Sequence, residues 1–289
     1  MRLEINKRLQ YNLIEETRIE TLGSTLYQAQ DLDLGRTVAV KCVTIEGQNR
    51  TEKQANYQKA RTEVQAMIRI GEEAVNIPSI YFTHYDEATS RYYIVMEWIK
   101  GETLTVKKNY IPQQFLGWMI ELCRILEKME QKKLYHKDIK PDNIMICSNG
   151  KLYLIDFNIS ISTPNLIEGT LHYKAPEMDT HSQYTGREKV DMFSIGVMLY
   201  EFFTGSVPVR GIDYASSAMS TTQVWRRFIE PKDKNPDIPP VINAIVVKCM
   251  KLDPRQRYSR SGDLKRELER AVRELGRPKR FQSNGSCRF

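Results

Sequence analysis

The 289-residue sequence has no apolar run approaching the roughly 20 residues needed to cross a bilayer. Its most apolar helix candidate, Phe193 to Phe203, is far shorter. The opening Met1-Arg2-Leu3-Glu4-Ile5 lacks the apolar core of a secretion signal. Cysteine is sparse and scattered: Cys42, Cys123, Cys147, Cys249 and Cys287 form no CxxC pair and have no histidine at metal-ligand spacing. That argues against a disulfide framework and a structural zinc site. A reduced, cytoplasmic setting with no membrane span is the expectation. No repeat at a fixed period is visible, and no Gly/Ser- or Pro-rich linker interrupts the chain before about residue 275, so it reads as one folding unit with internal lobes.

What is present is ordinary for a globular protein in bulk and distinctive in pattern. Hydrophobic residues make up 41% and charged residues 27%, enough for a sizeable core. The net charge of +7 suits nucleic acid, an anionic membrane or a site that holds polyphosphate, and does not choose among them. The first hundred or so residues carry short β-like runs rich in Val, Ile, Tyr and Thr: Tyr11 to Ile19, Thr25 to Gln30, Thr37 to Val43, Ile80 to Tyr85 and Arg91 to Glu97. One helix is predicted among them, from Gln54 to Ile70. Beyond Gly101 the pattern turns helical, with core stripes Phe115, Met119, Leu122, Leu126, Met129 and Leu264, Leu268, Val272, Leu275. Between these stripes, Asn143 to Ile146 and Leu152 to Ile155 flank Ser148-Asn149-Gly150, which predicts a short hairpin. The basic stretch Arg273 to Phe289 reads as a solvated tail, with phosphate or partner binding as the alternative.

Phosphoryl transfer from a nucleotide needs a carboxylate for the nucleophile, oxygen ligands for magnesium and a cation on the phosphates. A carboxylate at Asp138 can accept a hydroxyl proton, and an amide oxygen five positions on, at Asn143, can bind a hard cation. The run Tyr135-His136-Lys137-Asp138-Ile139-Lys140-Pro141-Asp142-Asn143 resembles the catalytic loop of protein kinases, departing from the usual His-Arg-Asp at Lys137. Asp156-Phe157-Asn158, 18 positions after Asp138, looks like the family's Asp-Phe-Gly corner. Asn is one of the few residues other than Gly that reaches positive φ readily, so the turn should survive at Asn158. Upstream, Val38-Ala39-Val40-Lys41 is similar to the strand bearing the phosphate-binding lysine. Glu63, 22 positions after Lys41, matches the carboxylate that holds that lysine; Glu52 is the competing partner, and the slightly long gap suggests an insertion near Glu46 to Glu52.

The poorest match is the phosphate loop. Aligning Leu26 to Asp31 on the family pattern puts Ile19, Thr21 and Ser24 where three glycines are usual, and only Gly23 is glycine. Such a loop should be stiffer and hold ATP less tightly. Downstream, Gly169-Thr170-Leu171-His172-Tyr173-Lys174-Ala175-Pro176-Glu177 resembles the end of an activation segment, for which the family implies a salt bridge from Glu177 to Arg257. Asp191 to Val197 is similar to the buried central helix of the larger lobe, with Asp191 accepting backbone hydrogen bonds from the catalytic loop.

The resemblance implies an α+β, bilobal protein kinase fold: a small, mainly β N-lobe with one key helix, and a larger, mainly α C-lobe. The kinase domain is expected over 1–275, with the N-lobe to about 98, the hinge at about 96–101, the C-lobe at about 102–275 and a disordered basic tail over 276–289. It implies an ATP-dependent serine/threonine kinase of bacterial or viral type, using Mg2+, with Mn2+ as a substitute, on protein hydroxyls and on its own chain. Asp138, Lys140 and Thr170 would be catalytic, and Asn143 and Asp156 would bind the metal. Lys41, Glu63 and Gly23 would serve the phosphates, and Leu26, Ala39, Met96, Glu97, Ile99 and Met145 the adenine. Lysine at 137 lacks the two-pronged grip of arginine on phosphate. Activity is therefore expected to depend only partly on phosphorylation of Ser160, Ser162, Thr163 or Thr170. Three other classes of function fit the residues less well. A pseudokinase scaffold has no need to keep Lys41, Glu63, Asp138, Lys140, Asn143 and Asp156. A small-molecule phosphotransferase generally lacks the Ala-Pro-Glu segment and the lysine at 140. A nucleic-acid binder explains none of the ordered motifs.

Overall fold

The structure, a computed structural model, describes residues 2–5, 9–21, 23–73, 76–106, 109–157, 170–178, 189–208 and 228–276. Six strands, β1 (Arg2–Ile5), β2 (Leu9–Thr21), β3 (Ser24–Asp31), β4 (Thr37–Thr44), β5 (Ile80–Asp86) and β6 (Arg91–Glu97), form one antiparallel sheet in the order β1-β2-β3-β4-β6-β5. Their alternation gives the sheet two faces. Tyr11, Leu13, Ala29, Val38, Val40 and Val95 pack together on one as a separate small core. On β4 the intervening residues point the other way, and Val43, with Ile94 on β6, joins the main core that runs on into the helical lobe. β1 escapes sequence reading because four residues carry too little periodicity; it is defined by its pairing, from Arg2 with Asn12 to Ile5 with Leu9.

Between β4 and β5 lies α1 (Arg50–Gly71), which begins four residues before its predicted start. The reason is a cap: Asn49 Oδ1 accepts the Glu52 N–H at 2.9 Å, and the Glu52 carboxylate accepts the Gln48 N–H at 2.8 Å. Glu52 is thereby committed to the exposed start of the helix, which removes it as a competitor for Lys41.

The second lobe opens with β7 (Gly101–Thr103), then α2 (Pro112–Gln131), the hairpin β8 (Ile144–Cys147) and β9 (Leu152–Leu154), α3 (Val190–Thr204), α4 (Pro231–Lys234), α5 (Pro240–Cys249) and α6 (Ser261–Leu275). β7, β8 and β9 make a small antiparallel sheet planted on the helices. The fold is thus α+β, a sheet-rich N-terminal region followed by a helical one. Every residue of α3 from Val190 to Glu201 is buried, so the helix is enclosed on all sides, its polar side chains Asp191, Ser194 and Glu201 are hydrogen-bonded, and it serves as the post on which the lobe packs. Gly196 makes this possible where α3 meets α5: a Cβ there would lie 2.6 Å from Cys249 Cβ and 2.9 Å from Met250 Cγ. Gly196→Ala is expected to destabilise the protein by about 1–3 kcal/mol through overpacking, read as a lower denaturation midpoint at unchanged slope.

Candidate active site

The strand register places Lys41 opposite Leu26 on β3 and Ile94 on β6, and Ala39 opposite Gln28 and Met96. Because strand residues alternate, Leu26, Ala39, Lys41 and Met96 share the face turned away from the small core. Lys41 Nζ reaches across to Asp156 Oδ1 at 2.5 Å. The Glu63 position lies on α1, but its side chain is outside the described residues, so the pair seen at Lys41 is the one with Asp156. Asp156 takes positive φ (56°), so the left-handed residue of this corner is the aspartate; Asn158 is outside the described residues.

Burial of the Asp156 carboxyl would raise its pKa, yet the Lys41 ammonium, through charge and hydrogen bond, more than offsets this and holds it below the ordinary carboxylate value. A depressed folded pKa means that the pair stabilises the fold at neutral pH and that this contribution fades as pH falls through that pKa. In Lys41→Met, burial loses its main opponent. The Asp156 titration, followed by carbon-detected NMR, is expected to move to higher pH; an unmoved titration would contradict the assignment.

The other half of the site grows from the segment between α2 and β8. Asp138 Oδ2 accepts from Lys140 Nζ at 3.1 Å and from Asn143 Nδ2 at 3.1 Å, and the same amide nitrogen bonds the Asp138 carbonyl at 2.7 Å. Asn143 thus spends its NH2 on Asp138 and keeps its amide oxygen for another partner. Lys137 adopts positive φ (66°). The buried Asp191 carboxylate, at the start of α3, holds this turn by accepting the His136 N–H at 2.9 Å and the Lys137 N–H at 2.7 Å. Burial pushes the Asp191 pKa up, against the pull of His136 and of the two N–H donors. The His136 ring meets the Ile155 carbonyl through Nε2 (3.2 Å) and lies against Phe157, which ties the turn to the Asp156 corner.

Farther along, Glu177 and Arg257 form the expected pair, two-pronged (2.5 and 2.8 Å) with both side chains fully buried. Between it and the site, Tyr173 is pinned to α3: its hydroxyl donates to Glu201 at 2.5 Å and its carbonyl accepts from Ser194 Oγ at 2.8 Å. Burial, with Glu201 alongside, pushes the Tyr173 phenol far up. Thr170 opens a short 3-10 turn to Tyr173, but its side chain is outside the described residues, as are Ser160, Ser162 and Thr163.

Gly23 sits at the β2–β3 turn with φ of 77°, where Thr21 pairs with Ser24, so the strands run into a tight turn with glycine at the position that needs positive φ. Glu97 ends β6 and exchanges hydrogen bonds with Ser79, its N–H to the Ser79 carbonyl (2.8 Å) and its carboxylate accepting the Ser79 N–H (3.2 Å). Ile99 follows, buried, and Met145 lies on β8 opposite Thr103 and Tyr153. Sequence reasoning passed over the segment after α1. Glu73 there pairs with Lys128 and Lys132 of α2, both at 3.0 Å, and the Asn76 carbonyl accepts the Leu154 N–H (3.1 Å). No short motif marks these residues; only the fold brings them together.

Among the described residues there is no cluster of three or more His, Cys, Asp and Glu able to hold a metal alone. The hard oxygens of Asn143 and Asp156 still fit magnesium, which commonly takes one or two protein ligands and completes its shell with phosphate and water. No helix among the described residues is long and apolar enough to cross a membrane.

The family model described as "Protein kinase domain" matches residues 21–268. The chain is 30% identical over 262 residues to serine/threonine-protein kinase PrkC of Bacillus subtilis, covering 86% of this chain and 38% of that protein. It is 31% identical over 271 residues to a probable serine/threonine-protein kinase of Clostridium acetobutylicum, covering 89% and 39%. It is 28% identical over 262 residues to serine/threonine-protein kinase PknB of Mycolicibacterium smegmatis, covering 86% and 40%. The chain spans about two fifths of the length of these relatives.

Proposed function

Because the chain belongs to the protein kinase family, we propose that it transfers the γ-phosphoryl group of ATP to serine or threonine hydroxyls of proteins, its own chain included. The observation that supports this best is the presence of two polar groups, Lys41 with Asp156 and Asp138 with Lys140 and Asn143, whose segments are joined where the Ile155 N–H donates to the Asn143 carbonyl at 2.9 Å. A pseudokinase scaffold has no need of both. We assign the kinase domain to residues 1–275, with lobes meeting at a hinge over 96–101, and place it in the cytoplasm; Cys42, Cys123, Cys147 and Cys249 are free thiols, in keeping with that setting.

In this reading Asp138 orients the substrate hydroxyl and takes its proton, and Lys140 offers positive charge to the migrating group. Thr170 would join these two as the resemblance implies. Asn143 and Asp156 hold magnesium, which when bound neutralises phosphate charge. Lys41 leaves Asp156 for the α- and β-phosphates and is steadied by Glu63. Leu26, Ala39, Met96 and Met145 enclose the adenine, and the backbone at Glu97 and Ile99 reads its edge. With Gly23 as its one glycine, the turn over the phosphates supplies little flexibility, consistent with weak ATP binding.

The test is to incubate the purified chain with labelled ATP, Mg2+ and a generic basic protein, then identify the phosphorylated amino acids. Label on serine and threonine is expected; label on tyrosine alone, or none, overturns the reading. Phosphatase pre-treatment is expected to leave a substantial part of the activity, since Lys137 offers a point charge where arginine would grip a phosphate. Near-complete loss would sink that part.

A further inference from the structure

We propose that Tyr57 is a positioning residue for the Lys41 site, latching α1 to the β5–β6 hairpin by stacking on Tyr85. The proposal rests on the kinase reading and goes beyond it, since no motif singles out Tyr57. Three contacts tie the first half of α1 to that hairpin. Arg50 Nε and Nη2 reach Glu87 Oε1 at 3.1 and 2.6 Å, and Lys53 Nζ donates to Ser90 Oγ at 3.1 Å. The Tyr57 ring stacks on Tyr85 with centroids 4.2 Å apart and planes 13° from parallel, and meets the buried Tyr92 edge-on at 5.4 Å.

Positions 50, 53 and 57 are spaced three and four apart, so they form one stripe on the helix, which continues into the buried Ala60, Val64 and Met67. Of the three contacts, the aromatic one dominates. The Arg50–Glu87 pair is exposed on both sides and so contributes little, whereas stacked and edge-on rings add to the burial of their own surface. The hairpin is a firm anchor: Asp86 accepts from the Ala88 and Thr89 N–H groups, and the Ser90 carbonyl accepts from Ile45 N–H.

The far end of α1 is held separately, by Glu73 on Lys128 and Lys132 and by Asn76 on Leu154. The helix therefore has a fixed end and a latched end. Its middle, Val64 and Met67, belongs to the same buried core as Ile94, which pairs with Lys41, and Phe157, which follows Asp156. Releasing the latch lets α1 swing about its fixed end and loosens that core behind the Lys41–Asp156 pair.

The experiment compares Tyr57→Ala, Tyr57→Phe and Tyr85→Leu in the full chain by steady-state kinetics and by amide hydrogen exchange. Tyr57→Ala is expected to lower kcat about five- to thirty-fold, the range set by one to two kcal/mol of lost population. KM for the protein substrate should be unchanged, and exchange over Arg50 to Ala60 faster while α2 stays protected. Tyr85→Leu should behave alike from the sheet side, and serves if Tyr57→Ala does not fold. Tyr57→Phe should restore both readouts, since the ring and not the hydroxyl makes the stack. A folded Tyr57→Ala with wild-type kcat overturns the proposal, because a merely structural role would lower the melting point alone. If the wild-type chain transfers no phosphoryl group, the kinase reading falls by itself. Exchange then still decides the latch: unchanged protection of α1 in Tyr57→Ala overturns it.

Discussion

Asp138→Asn is expected to lower the turnover of phosphoryl transfer by about 10²–10⁴-fold, the usual contribution of a positioned general base. The substitution is close to isosteric, and its surroundings tolerate it. The Asp138 carbonyl still accepts from Asn143 Nδ2, and an amide oxygen still accepts from Lys140 and Asn143. The turn itself is held from behind by Asp191 through the His136 and Lys137 amides, independently of the side chain at 138. Fold and nucleotide affinity should therefore survive, measured by an unchanged melting point and an unchanged ATP-dependent shift of it. What is lost is an anionic oxygen to draw the proton from the substrate hydroxyl. The wild type and Asp138→Asn are compared under single-turnover conditions, so that product release does not hide the step. Equal labelling by both would refute Asp138 as the base and favour a scaffold in which residual labelling comes from elsewhere.

The residues of that turn were legible in sequence because their chemistry is local. His136 to Asn143 lies within one loop, where five positions suffice to bring the Asn143 amide onto the Asp138 carboxylate. Glu177 with Arg257 and Asp191 with the turn are distant pairs, 80 and about 55 positions apart, and were found only through the family's pattern. The hairpin at Ser148 to Gly150 was legible from turn chemistry, and α2 and α6 from their stripes. Elsewhere local signals fell short. β1 is four residues whose strand state comes from its partner. Asn49 followed three positions later by Glu52 is itself a helix-start signal, but the polar stretch from Glu46 to Glu52 carries no apolar stripe to mark it as helix. Tyr57 is one tyrosine in a polar stretch until Tyr85 and Tyr92, nearly thirty or more positions later, come beneath it. The Lys41–Asp156 pair spans 115 positions, and no spacing rule reaches that far.

Arg257→Met is expected to cost about 3–5 kcal/mol of stability, the range for breaking a buried ion pair by removing one partner. For a domain of this size that corresponds to a fall in melting temperature of roughly 6–20 °C. Arg257 is fully buried, and its guanidinium does more than meet Glu177. It also donates to the Lys251 carbonyl (2.8 Å) and the Lys189 carbonyl (3.1 Å), and lies over the Phe193 ring. Methionine fills much of the volume but leaves the Glu177 carboxylate and those carbonyls without a donor in a dry interior. Glu177→Gln should be milder, because the amide oxygen still accepts and Arg257 keeps its carbonyl partners. Glu177→Leu combined with Arg257→Met should lose less than Arg257→Met alone, since no uncompensated carboxylate is left, yet it should not recover fully, because Lys251 and Lys189 stay unpaired. That ordering separates an ion pair from simple packing: if volume alone mattered, the double variant would be the worst of the three. It also separates structure from catalysis. The pair fixes the end of the segment whose Tyr173 rests on α3, and its own described partners are the Lys189, Lys251 and Leu252 carbonyls and the Phe193 ring rather than the groups around Asp138. Well below the melting transition, the Arg257→Met enzyme should therefore retain far more of its turnover than Asp138→Asn does.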